Sequence, residues 1–238
     1  MNKLSDRLNR LSYSQTFVMS NKARDMKAAG IDVISLTLGE PDFDVPDNIK
    51  KAAFDAINEN YSHYSPVPGF LELRKAIVNK LKRDNNLDYK PTQICVANGA
   101  KQNIFNVLAA LVNEGDEVIL PAPYWVSYDE MVKINGGVSV FIETNIDTEF
   151  KMTAEQLEAA ITPKTKAVLY SSPCNPSGSY YTREELEKIA NVMAKYPDVV
   201  IISDEIYEFI NYDGEHVSIA EFPQVFNQTA VINGMSKA

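Results

Sequence analysis

The chain has 238 residues and a formal net charge of −9, with 45% hydrophobic and 23% charged residues. This length can hold one large or two small domains around a substantial core, and the composition is ordinary for a soluble globular protein. The acidic charge argues against nucleic acid or an anionic membrane surface as the main partner. Cys95 and Cys174 are too few for a disulfide framework, and we expect buried free thiols. His63 and His216 lack ligand spacing, so no metal site is expected.

The start of the chain has no apolar signal segment, and the apolar runs are too short to span a bilayer, so we expect a cytoplasmic protein. Residues 22–29 have a helical pattern and residues 33–38 are strand-like. We interpret residues 1–40 as an N-terminal arm and residues 41–238 as the main domain.

From residue 94 onward, strand-like runs alternate with helical patterns. Thr153 is a good helix N-cap, and Thr182 with Glu185 forms a capping box. Alternating apolar strands and amphipathic helices predict the α/β class, with a mostly parallel sheet covered by helices on both faces. The predicted strands are 94–97, 117–120, 138–142, 167–170, 199–202 and 230–232, and the predicted helices are 102–112, 124–134, 154–161 and 182–195.

Polar motifs follow several of these predicted strands. They are Asn-Gly-Ala-Lys at 98–101, Asn-Pro-Ser-Gly at 175–178, Asp-Glu-Ile-Tyr at 204–207 and Ser-Lys at 236–237. Ligands of parallel sheets bind outside the carboxyl ends of the strands. The coincidence of four motifs at one edge therefore predicts a single site.

The residue types in these motifs suit pyridoxal phosphate. Lys237 offers an amine for a Schiff base, and Asp204 offers a buried carboxylate that a protonated pyridine nitrogen would balance. Tyr207 and Asn175 could contact the phenolic oxygen of that cofactor. Taken singly, Lys237 is more simply explained as a surface lysine, and the alternatives for the other three are a capping aspartate, a packed tyrosine and a turn asparagine.

Other positions carry weaker signals. Gly99 and Ala100 lie where a helix begins, and backbone N–H groups at such a place suit a phosphate. Trp125 could stack on a planar ring, and Tyr64 lies in a proline-rich loop from which its hydroxyl could reach outward. The alternatives are an ordinary strand-to-helix loop, core packing of the tryptophan and loop packing of the tyrosine.

Together these motifs resemble the class I/II aminotransferases of pyridoxal-phosphate fold type I, with the bacterial aspartate aminotransferases as the nearest subgroup. The resemblance runs from about residue 4 to the last residue. It includes segments 38–43, 64–74, 99–102, 123–128, 175–178, 204–207 and 236–237.

The resemblance implies a role for each residue. Lys237 would hold the cofactor covalently and then move the proton at the substrate Cα. Asp204 would pair with the pyridine nitrogen, and Tyr207 and Asn175 would contact the phenolic oxygen. Trp125 would stack on the ring and also contact the substrate, as would Asn175.

Gly99, Ala100 and Ser236 would hold the cofactor phosphate, and Gly39 would lie against the substrate carboxylate. Tyr64 would reach the phosphate in a neighbouring subunit, which implies a homodimer. The resemblance thus implies a part in amino acid metabolism and biosynthesis.

Substrate preference rests on Lys101 and Ser14, which match subgroup positions that recognise a distal carboxylate. They favour aspartate or glutamate, with 2-oxoglutarate or oxaloacetate as the amino acceptor. Ala100 and Ser177 depart mildly from the subgroup, which more often has glycine and threonine there. The alternatives are an aromatic or alanine transaminase, a carbon–sulfur lyase on the same scaffold, or a non-catalytic sensor domain that binds the cofactor.

The family also uses two arginines beyond the Schiff-base lysine, one for the phosphate and one, in a small C-terminal domain, for the substrate α-carboxylate. Neither position occurs in this chain. The resemblance therefore implies that the small domain is largely missing and that residues 1–40 belong to it. We expect the 238-residue chain to be a fragment with little activity alone.

Overall fold

The computed structural model describes residues 4–13 and 15–238. No helix in this part of the chain is long and apolar enough to cross a membrane. The α-helices are α1 (Gln15–Ala28), α2 (Asp47–Asn58), α3 (Leu71–Asn85), α4 (Ala100–Leu111), α5 (Ser127–Ile134), α6 (Ala154–Ala160) and α7 (Arg183–Met193). The strands are β1 (Glu117–Ala122), β2 (Val138–Glu143), β3 (Thr165–Ser171), β4 (Val200–Asp204) and β5 (Thr229–Ile232).

The five strands form one parallel sheet with the order β2-β1-β3-β4-β5. Parallel strands need crossover connections, and helices α5, α6 and α7 lie in those from β1 to β2, from β2 to β3 and from β3 to β4. The predicted α/β class and the mostly parallel sheet are therefore confirmed.

Side chains alternate along the strands and build two cores, one on each face of the sheet. On the α4/α5 face, Leu120 and Leu169 pack with Ile104 and Leu108 of α4. On the α6/α7 face, the strand residues pack against both of those helices. The main members of that second core are Ile119, Val168, Ile201, Leu157, Leu186, Ile189 and Met193.

Both predicted helix caps form. The Thr153 hydroxyl accepts a hydrogen bond from the Gln156 N–H at 3.2 Å, and α6 begins at the next residue. Before α7, the Thr182 hydroxyl accepts from the Glu185 N–H at 3.3 Å, and the Glu185 carboxylate accepts from the Thr182 N–H at 2.8 Å. The helix ends at Met193, two residues earlier than predicted.

Two predicted strands are wrong. Residues 94–97 run through a loop in which the Val96 N–H donates to the Pro68 carbonyl at 3.1 Å, and no ladder to a neighbouring strand forms. Cys95 of this loop is exposed, contrary to the expected burial, and Cys174 is half-buried. Residues 33–38 are also irregular, and Ile34 is 87% exposed. Apolar alternation fails here because a strand also needs a paired edge.

Residues 10 and 12 contact the part of the chain around α4 and α5. Arg10 pairs with Glu114 at 3.0 Å, and the Ser12 N–H donates to Glu130 of α5 at 2.8 Å. The predicted helical stretch 22–29 falls largely within α1. The division between residues 1–40 and 41–238 stays a prediction.

The cap at Thr182 gives a stability test. Replacing Thr182 by alanine removes the acceptor for the Glu185 N–H and is expected to lower the free energy of unfolding by about 1 kcal/mol. Urea unfolding followed by circular dichroism measures the change. Thr182→Ser keeps the oxygen and should lose much less; equal losses in both variants would contradict the capping role.

Candidate active site

The carboxyl ends of β3, β4 and β5 lie level with one another. In the sheet register Ser171 pairs with Asp204, and Asp204 pairs with Ile232. Asn175 follows β3 by four residues, and Lys237 follows β5 by five. Three of the predicted motifs therefore leave the sheet at one edge.

Asp204 is buried at the end of β4. One carboxylate oxygen accepts from the Tyr128 hydroxyl at 2.5 Å, and the other accepts from the Ile206 N–H at 3.2 Å. Burial raises the pKa of Asp204 to about 6, although both hydrogen bonds work in the opposite direction. Across residues 4–13 and 15–238, no lysine, arginine or histidine nitrogen lies within 4.0 Å of this carboxylate. Asp204 is thus a buried acid without a cation.

Tyr128 is a site residue that the sequence analysis missed. It lies on α5, is almost fully buried, and its pKa is raised by burial and by the charge of Asp204. Its ring meets Trp125 edge-on, with centroids 5.5 Å apart. The available signal was the spacing of three between two aromatic residues at a helix start, which puts both on one side of that turn.

Tyr207 and Asn175 are brought together by the structure. The Asn175 side-chain amide donates to the Tyr207 hydroxyl at 3.3 Å, and both residues are half-buried. Burial raises the pKa of Tyr207, and the hydrogen bond from Asn175 works against that rise. The pair places two polar groups from successive strand ends beside each other.

The loop before α4 and the start of that helix form a further part of the edge. Gly99 is the N-cap of α4 with φ +87°, a conformation that favours glycine, and Ala100 is the first helical residue. The Lys101 ammonium lies 4.9 Å from the centre of the Trp125 ring, a cation–π distance. Lys101 itself is exposed and open to a ligand.

Lys237 contacts the N-terminal arm. Its ammonium donates to the carbonyl of Gly39, 198 positions earlier in the chain. The side chain of Lys237 is half-buried. This contact joins two predicted site residues from opposite ends of the sequence.

The remaining predicted residues are not brought into this set of contacts. Tyr64 and Ser236 are both exposed. Ser14 lies outside the described residues.

Comparison with known proteins decides the family. The sequence pattern of aminotransferase class I and II matches residues 31–238. The chain belongs to this family. An aspartate aminotransferase of Bacillus sp. (strain YM-2) is 52% identical over 237 residues, which are 99% of this chain and 60% of that protein. A probable aspartate/prephenate aminotransferase of Rhizobium leguminosarum is 50% identical, with coverages of 99% and 59%.

Solved aminotransferases share the fold. Thermus thermophilus aspartate aminotransferase, crystallised with maleate, superimposes with a TM-score of 0.95 at 41% identity and covers all of this chain. The aspartate aminotransferase of Rhizobium meliloti gives 0.96 at 42% identity. The aminotransferase chain described here spans about 60% of the length of these relatives.

The raised pKa of Asp204 predicts that the free energy of unfolding of this aminotransferase chain depends on pH. Its pKa is about 6 when folded and ordinarily 3.8, so its ionisation in the unfolded chain favours unfolding as the pH rises through this interval. The cost at neutral pH is on the order of 3 kcal/mol. Asp204→Asn cannot ionise, so its stability relative to wild type should rise between about pH 4 and about pH 7.5.

Urea unfolding of the cofactor-free chain at both pH values measures this difference. Asp198→Asn, which removes an exposed carboxylate, controls for the loss of one charge. Parallel pH profiles for Asp204→Asn and wild type would show that Asp204 does not carry the cost.

Proposed function

We propose that the natural protein carrying this chain transfers amino groups with pyridoxal phosphate and acts on an acidic amino acid. The reaction would exchange the amino group of aspartate or glutamate with 2-oxoglutarate or oxaloacetate. The observation that carries the proposal is the buried, uncompensated carboxylate of Asp204 at the carboxyl edge of a parallel sheet.

The chemistry of Asp204 fits this cofactor. A buried carboxylate is stable only with a cation or several donors, and a protonated pyridine nitrogen would supply the cation that the described residues lack. The hydrogen bond from Tyr128 fixes the direction of the carboxylate before any ligand arrives. Bound pyridoxal phosphate supplies a ring that takes up electron density from the substrate carbon.

Other residues would bind and orient the reacting groups. Lys237 lies in the loop after β5, where its amine would bond the cofactor and then take and return the proton of the substrate Cα. Tyr207 and Asn175, already hydrogen-bonded to each other, would contact the phenolic oxygen of the ring. Trp125 would pack on the ring face.

The phosphate would lie at the start of α4. Gly99 caps that helix and Ala100 begins it. The N–H groups of Ala100 and Lys101 precede the first bond of the helical turn, from the Gln102 N–H to the Gly99 carbonyl at 3.1 Å, and Ser236 would add a hydroxyl. Tyr64 is fully exposed, which supports a role in the site of a second copy and hence a homodimer. The cytoplasm is the proposed compartment.

The preference for an acidic substrate rests on Lys101. Its ammonium is exposed and lies 4.9 Å from the centre of the Trp125 ring, which would pack on the cofactor ring, so a substrate bound beside that ring would meet a cation. The Thermus thermophilus enzyme was crystallised with maleate, a dicarboxylate, and the named substrates of the relatives, aspartate and prephenate, each carry a second carboxylate. Gly39 would lie against the other carboxylate, and Ser14 would assist Lys101.

Covalent capture tests the cofactor proposal. After incubation with pyridoxal phosphate and reduction with borohydride, peptide mass spectrometry should find the cofactor on Lys237. Lys237→Arg keeps the charge but should abolish the adduct, whereas Lys195→Ala, at an exposed pair with Glu158, should leave it unchanged. Labelling spread over many surface lysines, or equal labelling of Lys237→Arg, would refute a specific site.

Substrate choice is tested by replacing Lys101 with alanine in the natural protein that carries this sequence. Loss of a charge-assisted hydrogen bond should lower kcat/KM for aspartate by about tenfold to a hundredfold. The value for alanine, which has no distal carboxylate, should change little.

Lys101→Arg keeps the cation and serves as the matched control. No change in kcat/KM for aspartate would contradict this role and favour the alternative in which the enzyme takes aromatic amino acids or alanine, or is a carbon–sulfur lyase.

A further inference from the structure

A second buried acid, Glu205, directly follows Asp204 and takes no part in the proposed chemistry. Asp204 is directed toward Tyr128 on the α4/α5 face of the sheet. Glu205 instead makes its contacts on the α6/α7 face, with Ser203 of β4 and with His216 and Ser218 of the segment that follows. Only 1% of Glu205 is exposed, so its partners are fixed by the protein interior.

The donors around Glu205 can be assigned. The Ser203 hydroxyl lies 3.2 Å from the Tyr170 hydroxyl and 2.9 Å from Glu205 Oε1. A serine hydroxyl has one proton and a carboxylate only accepts, so Tyr170 donates to Ser203 and Ser203 donates to Glu205. Ser218 donates to the same oxygen at 2.7 Å.

The other oxygen of Glu205 lies 3.0 Å from His216 Nε2. Burial disfavours the charged imidazole, but the hydrogen bond and the charge of Glu205 outweigh burial, and the pKa of His216 is raised. Glu208 and Lys80, which pair with each other, also face His216 and act in opposite directions. The two oxygens of Glu205 are thus held by two hydroxyls and an imidazole.

The backbone of Glu205 ties the following turn to the last strand. Its N–H donates to the Ile232 carbonyl at 2.8 Å, and its own carbonyl accepts from the Glu208 N–H at 3.0 Å. Residues 204–208 contain both Asp204 and Tyr207. A change in the backbone dihedral angles of Glu205 would therefore turn the peptide groups on either side of it. Such a turn would change the directions of the Asp204 and Tyr207 side chains.

We propose that Glu205, held by Ser203, Ser218 and His216, is a positioning residue that fixes the turn at 204–208 and thereby the directions of Asp204 and Tyr207. Glu205 acts through the backbone and touches neither cofactor nor substrate. The effect of this role on catalysis rests on the proposed function. The positioning of Asp204 and Tyr207 can be measured without the cofactor.

The variant Glu205→Gln distinguishes a positioning role of Glu205 from a purely electrostatic effect of its charge on Asp204. The charge of Glu205 raises the pKa of Asp204, and the hydrogen bonds from Tyr128 and the Ile206 N–H lower it. If the substitution only removes a charge, the pKa of Asp204 falls below about 6. If the turn loses its fixed geometry and these hydrogen bonds weaken, the pKa rises, which is the expected result.

Carbon-13 NMR of the Asp204 carboxyl in the cofactor-free chain measures this pKa. Ser218→Ala removes one neutral donor and keeps all charges, so it should also raise the pKa, and it replaces Glu205→Gln if that variant does not fold. Glu158→Gln, at an exposed ion pair on α6, is the control and should leave the titration unchanged. An unchanged or lowered Asp204 pKa in the folded variants would overturn the positioning role.

The effect of Glu205→Gln on the site is measured as a change in the affinity of the chain for pyridoxal phosphate. Glu205→Gln is expected to weaken binding by about tenfold relative to Glu158→Gln, as for neighbouring coupled residues. If wild type binds no cofactor at Lys237, the proposed function fails, and the Asp204 titration alone decides the positioning role. If wild type binds and folded Glu205→Gln binds equally well, the positioning role is refuted and the function stands.

Discussion

The burial of Asp204 at the carboxyl end of β4 is the constraint on which the arrangement of the site depends. An acidic side chain in an apolar interior is costly, and its pKa near 6 reflects that cost. The level register of Ser171, Asp204 and Ile232 brings three strand ends to one edge. The Tyr128 hydroxyl then holds the carboxylate from the α4/α5 side at 2.5 Å.

Two consecutive acids at this edge are equally buried but have different partners. Asp204 and Glu205 are 3% and 1% exposed. Glu205 receives two hydroxyl donors and an imidazole, whereas Asp204 receives one hydroxyl and one backbone N–H. Both are buried acids, but the protein supplies Glu205 with three hydrogen-bond partners and Asp204 with only two, neither of them from a basic residue. This contrast supports a structural role for Glu205 and a ligand-binding role for Asp204.

The sequence predicted the parts of the fold that depend on local patterns. Strands β1 to β5 follow from continuous apolar runs, and the caps at Thr153 and Thr182 follow from side-chain chemistry within one helical turn. The strand at 94–97 is wrong because pairing depends on a distant partner edge. Tyr128 was missed for a related reason, since its bond to Asp204 spans 76 positions. A hydrogen bond between residues far apart in the sequence leaves no periodic pattern of apolar residues from which it could be predicted.

The sheet with helices α4 to α7 and the N-terminal helix α2 differ in how completely they bury their apolar residues. The sheet and helices α4 to α7 close two cores, but α2 has no buried residue, and its Phe54 and Ile57 are 67% and 72% exposed. Apolar side chains that are exposed together on one helix are typical of a contact surface. Tyr64, six residues after the end of α2, is itself exposed. These exposed residues fit the proposed site completed between two copies, whereas Asp204 ends β4 and Lys237 follows β5 of the sheet.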